Sequence, residues 1–126
     1  MARFIYLNIN PDGNKESDCV TRAIALATQT DYVSIRKKLF HTAKLLNCEK
    51  LCQSCYSFLI QDVFKSTPVN CDNMTVNEFA DLHPYGTYLV RMQGHISTII
   101  NGCVYDIWDC RDCLLTNAWK TNGYYY

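Results

Sequence analysis

The sequence predicts an α+β domain, helices first and an antiparallel sheet last. Helical periodicity runs from about Cys19 to Leu82, short β-prone runs follow from Thr87, and Asn101-Gly102 marks a tight hairpin between two of them. Arg3–Asn8 is a short apolar, β-prone run and reads as an N-terminal strand. Asn10–Ser17 is turn chemistry throughout and reads as a loop. Ser17 or Asp18 then caps a first helix through about Thr28, whose stripe of Val20, Ala23, Ile24 and Ala27 suits a deep position.

Asp31 caps a second helix to about Asn47, with Tyr32, Ile35, Leu39, Ala43 and Leu46 at helical spacing. Arg36, Lys37, Lys38 and Lys44 lie mostly off that stripe and read as a solvated face. Leu51–Ser66 carries Leu59, Ile60, Val63 and Phe64, a third helix that ends before Pro68. Thr75-x-x-Glu78 is a capping-box pattern that opens one or two further turns before His83-Pro84. Thr87–Met92, Ile96–Ile100 and Cys103–Trp108 are strands, and Leu114–Trp119 or the terminal Tyr124–Tyr126 supplies another.

At 126 residues, 48% of them apolar, the chain holds one domain with a core of its own, residues 1–126. Twelve basic and twelve acidic side chains cancel, so no global field steers it to nucleic acid or an anionic membrane. No apolar run approaches a spanning helix and the N-terminus lacks a signal-peptide layout, so the expectation is a soluble, cytoplasmic protein. In that compartment the eight cysteines read mostly as reduced, small, buried hydrophobes.

One cysteine has a more specific setting. Cys19 falls in the first turn of a helix, where unpaired N–H groups and the dipole favour a thiolate. Gly94-His95 opens a strand far downstream and Asp106 follows on the next. With Asn101-Gly102 as a two-residue loop, Ile100 faces Cys103, Thr98 faces Tyr105 and Ser97 faces Asp106, with His95 opposite Trp108. His95 and Asp106 are then diagonal neighbours on one sheet face, about 7–8 Å apart and within reach of a hydrogen bond. Packing of the first helix against that same face would bring the thiol to the imidazole. Asp109 points the other way by this register, and Asp112 is a weaker rival. Arg22, one turn beyond Cys19, reads as a structural ion-pair partner, Trp108 as core or a site wall, and His41 and His83 as surface residues.

Asp18-Cys19-Val20-Thr21-Arg22-Ala23, Gly94-His95-Ile96-Ser97 and Asn101-Gly102-Cys103-Val104-Tyr105-Asp106-Ile107-Trp108 together resemble the papain-like fold. The layout is similar to that of compact bacterial and phage-encoded members and of bacteriocin-leader-processing peptidases, which use Cys, His and Asp in that order. The resemblance implies Cys19 as nucleophile, His95 as general base and acid, and Asp106 as orienter, acting on a peptide or isopeptide amide through a thioester. It implies an oxyanion held by the Cys19 backbone N–H and an upstream side-chain donor. Family members often place a Gln there, whereas this loop has none, and Asn14, its nearest amide, is the candidate oxyanion-hole donor in its place. The Cys-Gly-x-Cys-Trp signature of classical papain-type enzymes is also missing.

Other classes fit parts of the same pattern. Transglutaminase-like acyl transfer or deamidation uses the same three residue types. An inert descendant of the fold would be a binding or inhibitory protein, phage-encoded and aimed at a host factor. Cys52/Cys55 and Cys110/Cys113, with Cys48 nearby, have zinc-ligand spacing but sit in a predicted helix and at a strand exit, without the Gly of a tight knuckle. The expectation is therefore no resident metal or cofactor and a peptide or protein substrate.

Overall fold

The computed structural model describes residues 1–13, 18–49 and 52–121. Their architecture is α+β, with four helices and one mixed six-stranded sheet. The helices are α1 (Cys19–Thr28), α2 (Tyr32–Leu46), α3 (Gln53–Phe58) and α4 (Val76–Leu82). The strands are β1 (Arg3–Tyr6), β2 (Thr67–Pro68), β3 (Thr87–Met92), β4 (His95–Ile100), β5 (Cys103–Asp106) and β6 (Leu115–Lys120), in the order β1-β5-β4-β3-β6-β2.

The sheet departs from the expected purely antiparallel one. β1 pairs parallel to β5, Arg3 to Cys103 through Tyr6 to Asp106, so an N-terminal strand closes the edge of a C-terminal meander. At the other edge Thr67–Pro68 forms a short strand on β6, where a proline is tolerated because an edge strand need not donate on both sides. The third predicted helix also splits. α3 gives way to a π turn over Leu59–Val63 that keeps Leu59 and Ile60 buried, a rearrangement that helical spacing alone does not announce.

Local signals explain most boundaries. Asp31 accepts from Ser34 N–H, and Asn47 ends α2 in the left-handed region. Thr75 and Glu78 form both halves of a capping box on α4. Asn101 and Gly102 have φ of 49° and 76°, the two positive values a tight turn of matching twist demands. The hairpin register is the predicted one from Ile100–Cys103 to Thr98–Tyr105, but β5 ends at Asp106 and the expected Ser97–Asp106 and His95–Trp108 pairs do not form. Asp18 stands at the N-cap of α1 but its side chain makes no capping bond; it is recruited elsewhere, as described below.

Apolar side chains cover both faces of the sheet. On one face Ile24, Ile35, Leu39 and Leu59 from the helices meet Leu89, Ile96 and Trp119. On the other, Val76 and Phe79 of α4 meet Val90, Ile99, Val104 and Ala118. Burying each such aliphatic or phenyl side chain contributes about 1.5–3 kcal/mol. Strand alternation divides the two sets, Ile96 to the first and Ile99 to the second. Arg36, Lys37, Lys38 and Lys44 are exposed as expected, but so is Leu46. Tyr124–Tyr126 lie outside the described residues.

Thr75→Ala removes the side-chain acceptor for Glu78 N–H and is expected to lower stability by about 1 kcal/mol. A shifted denaturant midpoint at unchanged slope is the result that checks this.

Candidate active site

α1 packs against the Ile96 and Thr98 face of β4, where Thr98 Oγ1–H donates to Ala23 O at 2.9 Å. His95, Ser97 and Ile99 alternate to the other face, so the first helix does not lie on the His95 face, the packing that the hairpin register made the condition for the thiol to reach the ring. Cys19 meets His95 by a different route. The β4–β5 ladder stops at Thr98/Tyr105, leaving the first half of β4 paired to β3 alone. The start of α1 lies at this opening, and Cys19, Arg22, Ser97 and Asp106 line it together.

His95 Nε2–H donates to Asp106 Oδ2 at 2.6 Å. Nδ1 is therefore the ring nitrogen left for Cys19, which lines the same cleft as His95. Gly94 permits the turn before His95, with φ +75° where a side chain is strained. Trp108 lies beyond the end of β5, half exposed, with its ring edge-on to His95 at 4.9 Å between centroids. It walls the imidazole instead of filling the core.

Asp106 is buried and fully engaged. Oδ2 also accepts a weak bond from Cys110 Sγ–H at 3.9 Å. Oδ1 accepts from Ile107 N–H at 2.8 Å and Arg22 Nη1–H at 3.2 Å. Arg22 Nε–H in turn donates to Asp18 Oδ1 at 2.6 Å. Asp18 Oδ2 accepts from Tyr32 O–H at 2.7 Å and from Asn10 Nδ2–H at 3.0 Å. A continuous chain of buried bonds thus runs from the loop before α1 to the imidazole. Asp109 pairs with Arg111 at the surface and takes no part.

This setting reshapes the acid–base chemistry. Burial pushes the Cys19 thiol up, but the His95 hydrogen bond, Ile96 N–H and the charges of His95 and Arg22 bring it below its ordinary value. Burial pulls His95 down, and Asp106, Cys110 and Cys19 outweigh it, pushing the imidazole up to about 11. Burial raises Asp106, and its bond and charge interaction with His95 leave it lowered. The two shifts run in opposite senses, and both favour the ionised forms, thiolate and imidazolium. Burial instead pushes Cys55 up to about 11 and raises Cys71 and Cys113. Cys52 is lowered as well, by Cys55 N–H and the Cys48 thiol.

The sulfur opens onto a cleft of about 330 Å3 lined by Cys19, Val20, Gln53, Tyr56, Arg91, Gly94, His95 and Ile96. No sequence motif marks Gln53, Tyr56 or Arg91. An arginine within the apolar run Tyr88-Leu89-Val90-Arg91-Met92 was the available signal for one of them. Cys110, whose sequence spacing suggests only a zinc ligand, donates to the Asp106 carboxylate instead. Asn14 lies outside the described residues. His41 is exposed, whereas His83 is half-buried, bonded through Nδ1 to Phe79 O at 2.9 Å and stacked on the Phe79 ring.

All eight cysteines are free thiols, and only Cys55, Cys71 and Cys110 are buried, fewer than the sequence suggests. His95, Asp106 and Cys110 place ligand atoms within 4.8 Å of one another, among the described residues the one group of three with that spacing. A cation there would displace the His95–Asp106 bond and face the Arg22 guanidinium across the same carboxylate. The donors fit mutual hydrogen bonding better than a divalent ion. Among the described residues neither Cys-x-x-Cys pair forms such a group.

Comparison with protein-family models, curated proteins and solved structures gave no match. Among the described residues no helix is long and apolar enough to cross a membrane.

Asp106→Ala strips both Arg22 and His95 of a buried partner and is expected to cost about 3–5 kcal/mol. It should also return His95 toward its ordinary value, read as a shifted imidazole titration by NMR. Because His95 is raised on folding, its contribution to stability is complete below the unfolded value near 6.5 and fades as pH climbs toward about 11. Unfolding free energy of the native chain should therefore fall more between pH 7 and 10 than that of His95→Gln.

Proposed function

We propose that this chain is a small cysteine hydrolase of papain-like architecture, cleaving a peptide or isopeptide-type amide. The observation that carries the reading is the convergence of Cys19 and His95 at the mouth of one cleft, with Asp106 buried behind the imidazole, the thiol lowered and the imidazole raised. Those three side chains are separated by most of the chain. A buried core cysteine would have its thiol raised, as Cys55 does.

The Cys19 thiolate attacks the carbonyl carbon while the developing oxyanion accepts from the Cys19 N–H, which heads α1 and has no partner within the helix. Collapse of the tetrahedral intermediate expels the amine, which takes the proton from His95 Nδ1, and a thioester remains. Neutral His95 then draws a proton from water, hydroxide adds to the thioester, and collapse returns the thiolate and the free acid. Asp106 holds the ring through Nε2 throughout and stabilises the imidazolium without taking its proton.

The reading predicts rapid alkylation of Cys19 by iodoacetamide at pH 7, with a rate profile that inflects below the ordinary thiol range. His95→Ala should move that inflection up and slow labelling at pH 7 by about tenfold or more. Cys52 is expected to label too, but independently of His95. Peptide mapping by mass spectrometry distinguishes the two sites, and slow, His95-independent labelling of Cys19 would point to an inert binding protein instead.

A further inference from the structure

Arg91 lies on β3 opposite Ile96 and faces the helical side of the sheet, into the cleft beside Cys19. Its guanidinium is held by three neutral acceptors. Nε–H donates to Tyr56 Oη, and Nη1–H to Thr116 Oγ1 at 2.9 Å and Asn117 Oδ1 at 3.1 Å. Thr116 is itself fixed, its hydroxyl donating to Arg91 O at 3.1 Å.

Among the described residues no carboxylate forms an ion pair with Arg91. Arg22 and Arg111, by contrast, both pair with aspartates. A half-buried cation costs solvation energy that neutral hydrogen bonds recover only in part. These bonds commit the Nε and Nη1 hydrogens, so a group held rigidly beside a cleft keeps Nη2 and its unneutralised charge for an anion. Tyr56 adds a second donor. Burial raises its phenol above the ordinary value, so it keeps its proton while its oxygen accepts from Arg91.

We propose that Arg91 and Tyr56 form a carboxylate-binding subsite, so that the substrate carries a carboxylate close to the amide attacked by Cys19. This rests on the hydrolase reading and names its substrate class. A carboxylate there could belong to an acidic side chain or to a free chain terminus; both offer two oxygens to the guanidinium and the phenol.

Three chloroacetyl probes of nearly equal shape separate these sources: N-chloroacetyl-glutamate α-amide, N-chloroacetyl-glutamine with a free α-carboxylate, and N-chloroacetyl-glutamine α-amide, which is neutral. The second-order rate of Cys19 modification on the full chain is read by mass spectrometry. At least one anionic probe should react about tenfold faster than the neutral one, the gain expected from a charge-assisted contact, and the faster arm identifies the source. Arg91→Gln should abolish the preference, each probe's rate being taken as a ratio to the neutral probe on the same variant. Asn117→Asp, which neutralises the guanidinium in place, should do the same if loss of Arg91 disturbs folding, and Arg91→Lys should retain part of it. Fast labelling of Cys19 with no carboxylate preference, or a preference that survives both Arg91→Gln and Asn117→Asp, overturns the subsite alone. Slow labelling of Cys19 by every probe and by iodoacetamide overturns the hydrolase reading and the subsite with it.

Discussion

The Asp106 carboxylate is the interaction on which the rest of the site depends. One oxygen fixes the imidazole and the other takes the Arg22 guanidinium and a backbone N–H. Buried at that depth, an unpaired carboxylate would be protonated or would drag water inward. Its two cationic partners keep it ionised, and they come from different parts of the fold, α1 and the start of β4. The ion contacts therefore tie the helix bearing the sulfur to the strand bearing the imidazole. Arg22 is the hinge of this arrangement because it spans Asp18 on its own helix and Asp106 on the sheet.

The same contacts explain why a sheet with two well-packed faces has an opening at one end. Thr98 and Ile96 seat α1 on one face, while His95 and Asp106 belong to the other. Where β4 and β5 stop pairing, side chains from both faces can meet through the gap. Apolar packing sets how deep α1 lies, and the charges decide what crosses the opening. A continuous ladder would have kept Cys19 and His95 on opposite sides.

Free thiols alone carry little information in a chain with eight of them. What separates Cys19 is its surroundings: a helix start, a cationic ring and a second cation one turn on. Cys55, on the same side of the sheet and wholly buried against Leu39, experiences desolvation without compensation and moves the other way. Cys110 has yet another place, donating to the carboxylate that holds His95.

Much of this was legible in residue order. The α+β class, the capping box at Thr75 and the Asn101-Gly102 hairpin register follow from local rules, because a cap or a tight turn is decided within four or five residues. Register and alternation also made His95 and Asp106 neighbours. Local rules could not reach the parallel pairing of β1 with β5, the edge strand at Thr67–Pro68, or the face on which α1 packs. Nor could they show the bonds of Asp18 to Asn10, Tyr32 and Arg22, or the unneutralised Arg91 at the cleft. Each of these joins segments far apart in the chain, and burial of apolar area and the need to satisfy buried charge settle them only when the whole domain closes.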